Sequence, residues 1–202
     1  TTLSDPFELP GIIPALERIK RALRSSERAL IHGDYDTDGL TATAIMVLAL
    51  RKMGMDVHYF IPNRITQGYG FHPYSVDHAK NLGASLIITV DCGITSLDAV
   101  AYAQREGIDV IITDHHEPTR PSEQGRQKSE VEDKYLLPDA VAVINPKLST
   151  TKSQTSNLSG AGIAFKMVQA FALDDMLPFT MDDAVSLLDL AALGTIADVV
   201  PC

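Results

Sequence analysis

The sequence has few cysteines and no long apolar stretch. Cys92 and Cys202 are its only two cysteines, which argues against a disulfide framework and favours a reducing compartment. The longest apolar run, residues 43–50, is followed at once by Arg51 and Lys52, so no transmembrane helix is predicted. The first residues also lack the basic and then apolar pattern of a signal peptide. These absences predict a cytoplasmic protein that makes no membrane contact.

Basic side chains are also scarce. Lysine and arginine total 17 against 26 aspartates and glutamates, and the net charge is −9. A broad electrostatic binder of nucleic acid normally carries a basic patch or stripe, so the composition argues against that class for this chain by itself. Most of the acids are expected on the solvated surface, which leaves a minority available to hold metal ions.

Apolar runs rich in β-branched residues alternate along the chain with helical patterns. Predicted strands cover residues 29–32, 57–61, 86–90, 110–113 and 141–144, and predicted helices cover 11–25, 40–53, 74–82, 96–106, 162–173 and 182–193. This alternation predicts an α/β fold: a parallel β-sheet flanked by helices, with a helical C-terminal segment.

The domain prediction is one catalytic domain over residues 1–202. It has an N-terminal helix (11–25), a core that bears the motifs (28–145) and a helical segment (159–202), with polar surface loops over residues 117–139 and 149–157. The apolar ending at residues 199–202 favours a piece of a longer protein, and a buried C-terminal strand is the alternative.

Acidic residues and histidines follow three of the predicted strands. Asp34, Asp36 and Asp38 follow the first strand, Asp91 follows the third, and residues 114–116, Asp-His-His, follow the fourth. The carboxyl ends of parallel strands share one edge of a sheet, so these groups can converge. The alternative for the first set is an ordinary acidic loop in which Asp36 or Asp38 caps a helix.

Imidazole nitrogen with several carboxylates suits Mn, Fe or Zn, and dominant oxygen ligation keeps Mg available. Two such ions about 3.5–4 Å apart are a common device for hydrolysing phosphoesters. Asp189 and Asp198 are further candidate ligands, because each is an acid in an apolar stretch, where an unpaired carboxylate is costly.

The motifs resemble those of the DHH phosphoesterase family and, within it, those of the members that degrade single-stranded DNA. The resemblance covers nearly the whole chain and rests on short strings in the family's order: residues 33–39, 61–64 with 68–70, 89–94, 114–116, 159–166 and 193–201.

The resemblance implies a set of metal ligands for one or two Mn²⁺ or Mg²⁺ ions: Asp36, Asp38, Asp91, His115 and Asp198. Asp91 would be the bridge between two ions, and Asp34 is a further ligand, direct or through water. His32 stands where some family phosphatases have a metal histidine, and Asp189 is the rival of Asp198.

The resemblance also implies catalytic and substrate-binding roles. His116 would face the scissile phosphate, and Asp114 would orient a neighbouring imidazole by a hydrogen bond. Arg64 would contact a phosphate and Tyr69 would stack a base, with a loop that packs on its own domain as the alternative.

The implied activity is metal-dependent hydrolysis of single-stranded DNA from its 5′ end, in recombination and repair, with a single-strand-binding protein and a repair helicase as partners. Family members with this activity carry a DHH-associated domain and an oligonucleotide-binding fold, and we expect both to lie outside this chain. One alternative is a DHH phosphodiesterase for short oligonucleotides or cyclic dinucleotides. The other is a scaffold without catalytic activity.

Overall fold

The computed structural model describes residues 3–120, 135–149 and 155–200. The predicted polar loops at 117–139 and 149–157 fall partly outside the described residues. The strands are Arg28–His32 (β1), Asp56–Phe60 (β2), Leu86–Val90 (β3), Asp109–Thr113 (β4) and Ala142–Ile144 (β5). The helices are Ile12–Arg24 (α1), Thr37–Lys52 (α2), Pro73–Leu82 (α3), Leu97–Arg105 (α4), Gly160–Leu173 (α5), Met181–Val185 (α6) and Leu188–Ala197 (α7), with short 3-10 turns at Pro6–Glu8 and Pro146–Leu148.

The five strands form one sheet in the order β2-β1-β3-β4-β5, and every neighbouring pair is parallel. The chain leaves β1 toward one side of the sheet and returns to place β3 on its other side. Between the carboxyl ends of β1 and β3 lies the switch in direction where open parallel sheets form their ligand crevice. The predicted parallel α/β fold is confirmed.

Helices cover both faces of the sheet. The larger core lies on one face, where α1, α2 and α5 pack on alternate strand residues such as Ile31, Ile88 and Ile111. The smaller core lies on the other face, where α3 and α4 pack on Leu30 and Ile87. All five side chains are fully buried. A strand buried on both faces is apolar along its whole length, which is why the sequence shows continuous rather than alternating apolar runs.

The C-terminal segment differs from its prediction. The single helix expected over residues 182–193 is two helices, α6 and α7, separated by a turn at Ser186 and Leu187. Helix α6 ends at this turn, where the amides of Ser186 and Leu187 donate to the carbonyls of Asp182 and Ala184. The helix α7 then packs against α2 and α5, and it ends at Asp198. None of the helices within the described ranges is long and apolar enough to cross a membrane.

Candidate metal centre

Among the described residues, three overlapping groups of acids and histidines each bring their ligand atoms within 4.8 Å of one another. The groups are Asp34 with Asp36 and Asp91, Asp91 with His115 and His116, and Asp38 with His115 and Asp198. Because Asp91 belongs to two groups and His115 to two, the three groups form one continuous cluster. The cluster lies at the carboxyl edge of the sheet, after β1, β3 and β4.

Asp38 is held by the start of α5. Its Oδ2 accepts a hydrogen bond from the Gly160 amide at 2.6 Å and its Oδ1 accepts one from the Ala161 amide at 2.8 Å. The first amides of a helix have no partner within the helix and carry partial positive charge, so they favour a carboxylate. The buried Asp38 side chain is therefore held in place, with Oδ2 3.9 Å from the Nε2 of His115.

Asp91 lies at the centre of the cluster and has an unusual backbone. Its φ is +61°, a conformation that side-chain-bearing residues rarely adopt. The side chain is buried, and its Oδ1 has no hydrogen-bond partner among the described residues. Burial, with the charge of Asp38, raises the pKa of Asp91 to about 10. A buried carboxylate oxygen without a partner is costly unless a cation meets it, so this residue fits a metal ion.

Asp34 and Asp36 differ in their surroundings. Asp34 is buried, its Oδ1 also has no partner within the described part of the chain, and burial raises its pKa. Asp36 is exposed and caps α2, because its carboxylate accepts a hydrogen bond from the Gly39 amide at 2.9 Å. The capping alternative is thus correct for Asp36, and the same carboxylate still lies in a candidate ligand group.

His115 places its Nε2 among three carboxylates. The atom lies 3.2 Å from Asp91 Oδ1, 3.7 Å from Asp198 Oδ2 and 3.9 Å from Asp38 Oδ2. It is buried and has no hydrogen-bond partner among the described residues. An imidazole nitrogen together with several carboxylates is the set of ligand atoms expected around a transition-metal ion.

His116 is oriented by Asp114. The Nδ1 of His116 lies 2.7 Å from Asp114 Oδ1, and that oxygen also accepts from the His116 amide at 3.0 Å. Burial opposes the charge on Asp114, but the hydrogen bonds from His116 and from the Ile94 amide hold its pKa below the usual range. The hydrogen bond to Asp114 in turn raises the pKa of His116.

The two rival acids of the C-terminal segment lie at opposite ends of α7. Asp198, at the carboxyl end, belongs to the group with Asp38 and His115. Asp189, in the first turn, is exposed and accepts a hydrogen bond from the Leu190 amide. The geometry therefore favours Asp198 over Asp189 as a ligand.

His32 belongs to none of the three ligand groups found in the described chain. Its buried ring packs between Phe60 and Phe71, with Nε2 3.2 Å from the Gly70 carbonyl. Burial lowers the pKa of His32 to about 4. These contacts place the ring in the core, and its Nδ1 is buried without a hydrogen-bond partner among the described residues.

Tyr69 and Arg64 come from the loop between β2 and α3. The Tyr69 hydroxyl lies 2.9 Å from the Nδ1 of His116 and donates to the Asp91 carbonyl at 3.3 Å. Arg64 is exposed and its guanidinium lies over the ring of Tyr35, 5.5 Å from the ring centre. The structure thus brings Tyr69 into the cluster and leaves Arg64 at its solvent side.

Two features of the site were not predicted as parts of it. The amides of Gly160 and Ala161 hold Asp38, whereas the sequence analysis identified residues 159–166 only as a family motif and gave them no role in the site. Asn145, which the sequence analysis did not single out, donates to the His116 carbonyl at 2.9 Å. Its position directly after β5, at the same sheet edge as the acids, is the signal that could have drawn attention to it.

The chain is similar over nearly its whole length to proteins of known activity. The single-stranded-DNA-specific exonuclease RecJ of Bacillus subtilis (strain 168) is 43% identical over 197 residues, which are 98% of this chain and 22% of that protein. The crystal structure of exonuclease RecJ bound to manganese superposes with a TM-score of 0.77 and 38% identity, covering 96% of this chain and 44% of that one. RecJ from Thermus thermophilus in complex with Mn²⁺ gives a TM-score of 0.73 and 36% identity, covering 96% and 25%.

The chain spans less than half the length of each of these relatives. The sequence profile described as "DHH family, N-terminal domain" matches residues 28–195, which include every strand of the sheet and all but one of the candidate ligands in the cluster. With that match, the chain belongs to the DHH family and represents its N-terminal domain.

Proposed function

We propose that this chain carries the metal site of a phosphodiesterase that degrades single-stranded DNA from its 5′ end, in recombination and repair. One observation carries the proposal. Among the described residues, seven buried side-chain nitrogen or oxygen atoms have no hydrogen-bond partner, and three of them belong to the cluster: Asp34 Oδ1, Asp91 Oδ1 and His115 Nε2. A metal site requires such a concentration of oxygen and nitrogen atoms that no hydrogen bond occupies, here at one edge of the sheet.

The donor set fits two ions. Asp34, Asp36 and Asp91 supply oxygen ligands for one, and Asp38, His115 and Asp198 supply a mixed set for the other. Asp91 reaches both sets, since its Oδ1 lies 3.2 Å from His115 Nε2. When bound, Mn²⁺ or Mg²⁺ ions lower the pKa of water and neutralise charge on the phosphate. The RecJ structures named above, in complex with Mn²⁺, support this choice of metal.

His116 acts on the phosphate in this proposal. Asp114 and Tyr69 engage its Nδ1, which leaves Nε2 to donate a hydrogen bond to a non-bridging phosphate oxygen. The Asp114 carboxylate raises the pKa of His116, so the ring carries positive charge more readily than a free histidine. A donor fixed in place and aimed at developing negative charge is a common means of stabilising a transition state.

Arg64 and Tyr69 are proposed to contact the strand. Arg64 is exposed beside the cluster, and its contact with the Tyr35 ring holds the guanidinium at the surface, where it can meet a phosphate. The Tyr69 hydroxyl is engaged by His116, while part of its ring remains exposed, at 42% for the residue as a whole. That exposed surface is available for a base to stack on.

The cellular setting is part of the same proposal. We infer that the protein works in the cytoplasm, with single-stranded DNA as its substrate and a single-strand-binding protein and a repair helicase as its partners. Support comes from the relatives, which are described as single-stranded-DNA-specific exonucleases, and from the buried free thiol of Cys92.

The proposal is tested by Mn²⁺-dependent release of nucleotides from a 5′-labelled single strand. Blunt duplex and a dinucleotide serve as comparison substrates, and Asp91→Ala and His116→Ala as variants. We expect cleavage of the single strand alone, abolished in Asp91→Ala and reduced to a small but measurable rate in His116→Ala, with Mn²⁺ binding lost only in the first. Preference for the dinucleotide would favour the short-oligonucleotide alternative, and absence of metal binding by the wild type would favour the scaffold.

A further inference from the structure

Asn145 is a buried amide side chain beside the proposed catalytic histidine. It follows β5 directly and is fully buried. Its Nδ2 donates to the main-chain carbonyl of His116 at 2.9 Å, and its Oδ1 accepts from the Lys147 amide at 2.9 Å. The second bond begins the Pro146–Leu148 turn, and the first crosses to the loop after β4.

Capping alone does not explain an asparagine at this position. An aspartate could accept from the Lys147 amide equally well, because aspartate and asparagine are comparable caps. A carboxylate has no hydrogen to donate, whereas an amide carries a donor and an acceptor on one planar group. The donor is the part of Asn145 that the His116 carbonyl uses.

The hydrogen bond from Asn145 completes the fixation of His116. Asp114 holds the amide and the ring Nδ1 of His116, and Asn145 holds its carbonyl. Asp114 is tied to the same strand end, because its amide donates to the Ile144 carbonyl at 3.0 Å. The His116 side chain is 44% exposed, and its ring contacts the rings of Tyr69 and His115 on its covered side, so hydrogen bonds add to packing in setting its direction.

We propose that Asn145 is a positioning residue for His116, one that sets where the imidazole meets the scissile phosphate. This inference rests on the proposed function, in which His116 acts on the phosphate. The two hydrogen bonds of Asn145 described above involve backbone groups and none of the carboxylates of the cluster. Its loss is therefore expected to slow turnover while metal affinity stays close to that of the wild type.

The test is a double-variant cycle of Asn145→Asp and His116→Ala, with Mn²⁺ affinity and the KM for single-stranded DNA measured beside kcat. Asn145→Asp keeps the cap and removes the donor. We expect kcat to fall about 10- to 100-fold, since small misplacement of a reacting group has effects of that order, with KM and Mn²⁺ affinity within about threefold. In the His116→Ala background the same change should have no further effect.

Asn81→Asp, an exposed change in the last turn of α3, controls for the added charge and should leave all three quantities unchanged. Asn145→Ala removes the donor without burying a charge, but it also removes the acceptor for the Lys147 amide; it replaces Asn145→Asp in the cycle if that variant does not fold. An equal loss of kcat in the wild-type and His116→Ala backgrounds would overturn the proposal. So would a loss of Mn²⁺ affinity in parallel with kcat.

A second readout separates this inference from the proposed function. In the Mg²⁺-loaded protein, the ring signals of His116 in a histidine-selective NMR spectrum are identified by their absence in His116→Ala. We expect them to move in both Asn145 variants and to stay in place in Asn81→Asp. If no phosphodiester is cleaved but the signals move, the proposed function fails and the positioning role stands. Unmoved signals refute the positioning role whatever the activity.

Discussion

Replacement of Gly160 by alanine should disable the proposed metal centre. A Cβ built on Gly160 would lie 2.6 Å from the Cβ, Cγ and Oδ1 of Asp91. Ordinary contacts begin near 3.4 Å, so Asp91 or the start of α5 must move by roughly 1 Å, and misplacement of that size costs about 100-fold in rate. Alanine favours a helix over glycine by about 1 kcal/mol, which offsets part of the strain. We expect weaker Mn²⁺ binding and a large drop in kcat.

Gly162→Ala is the matched control, two positions further along the same helix. Its Cβ would approach atoms of Leu158 at 3.2 and 3.3 Å and would touch no acid of the cluster. Calorimetric titration with Mn²⁺ and the single-strand assay, run on both variants beside thermal melts, measure the difference. Wild-type Mn²⁺ affinity and rate in Gly160→Ala would refute the argument, and so would equal losses in the two variants.

Three further predictions concern single residues. In the metal-free protein, Asp91→Asn should raise the melting temperature at pH 8 and add little at pH 4. The pKa of Asp91 is about 10 in the folded protein and 3.8 for a free carboxyl. The folded wild type is therefore not destabilised by Asp91 below pH 3.8, and it loses stability as the pH rises from 3.8 toward 10, a loss that the uncharged asparagine avoids. An equal gain in melting temperature at both pH values would contradict this. Asp198→Asn should weaken Mn²⁺ binding more than about tenfold, because the loss of a group that only hydrogen-bonds to a metal ligand already lowers metal affinity by about that factor. Asp189→Asn should leave Mn²⁺ affinity unchanged. Finally, His32→Ala should cost about 2–4 kcal/mol in chemical denaturation through the cavity it leaves, with Mn²⁺ affinity unchanged in the folded protein; a lost metal site would show His32 to be a ligand.

The sequence predicted the sheet and the edge that bears the acids for a definite physical reason. Parallel strands buried on both faces are mostly apolar in their middle, so charged residues collect at their ends, and Asp91 and Asp114 directly follow the ends of two of them. The choice between Asp189 and Asp198 was not predictable in the same way. It depends on where the chain turns between α6 and α7, and an apolar stretch with no pattern of its own gives no signal of that turn.

The parts of the site made by close approach were also beyond the sequence. Gly160 matters because a backbone from α5 passes against Asp91, and nothing in the local sequence indicates which distant residue it meets. The same holds for Asn145, whose partner lies on the loop after the neighbouring strand. Local patterns report burial and strand ends, whereas these contacts exist only once the sheet and α5 are assembled.

The position of Asp198 has a consequence for synthesis on the ribosome. Asp38 stands near the beginning of the chain and Asp198 near the end of the described residues, yet both face His115. A nascent chain that has not yet released α7 from the exit tunnel lacks this group, even if the sheet has already formed. The proposed metal site should therefore be complete only once α7 has left the tunnel and packed against α2 and α5.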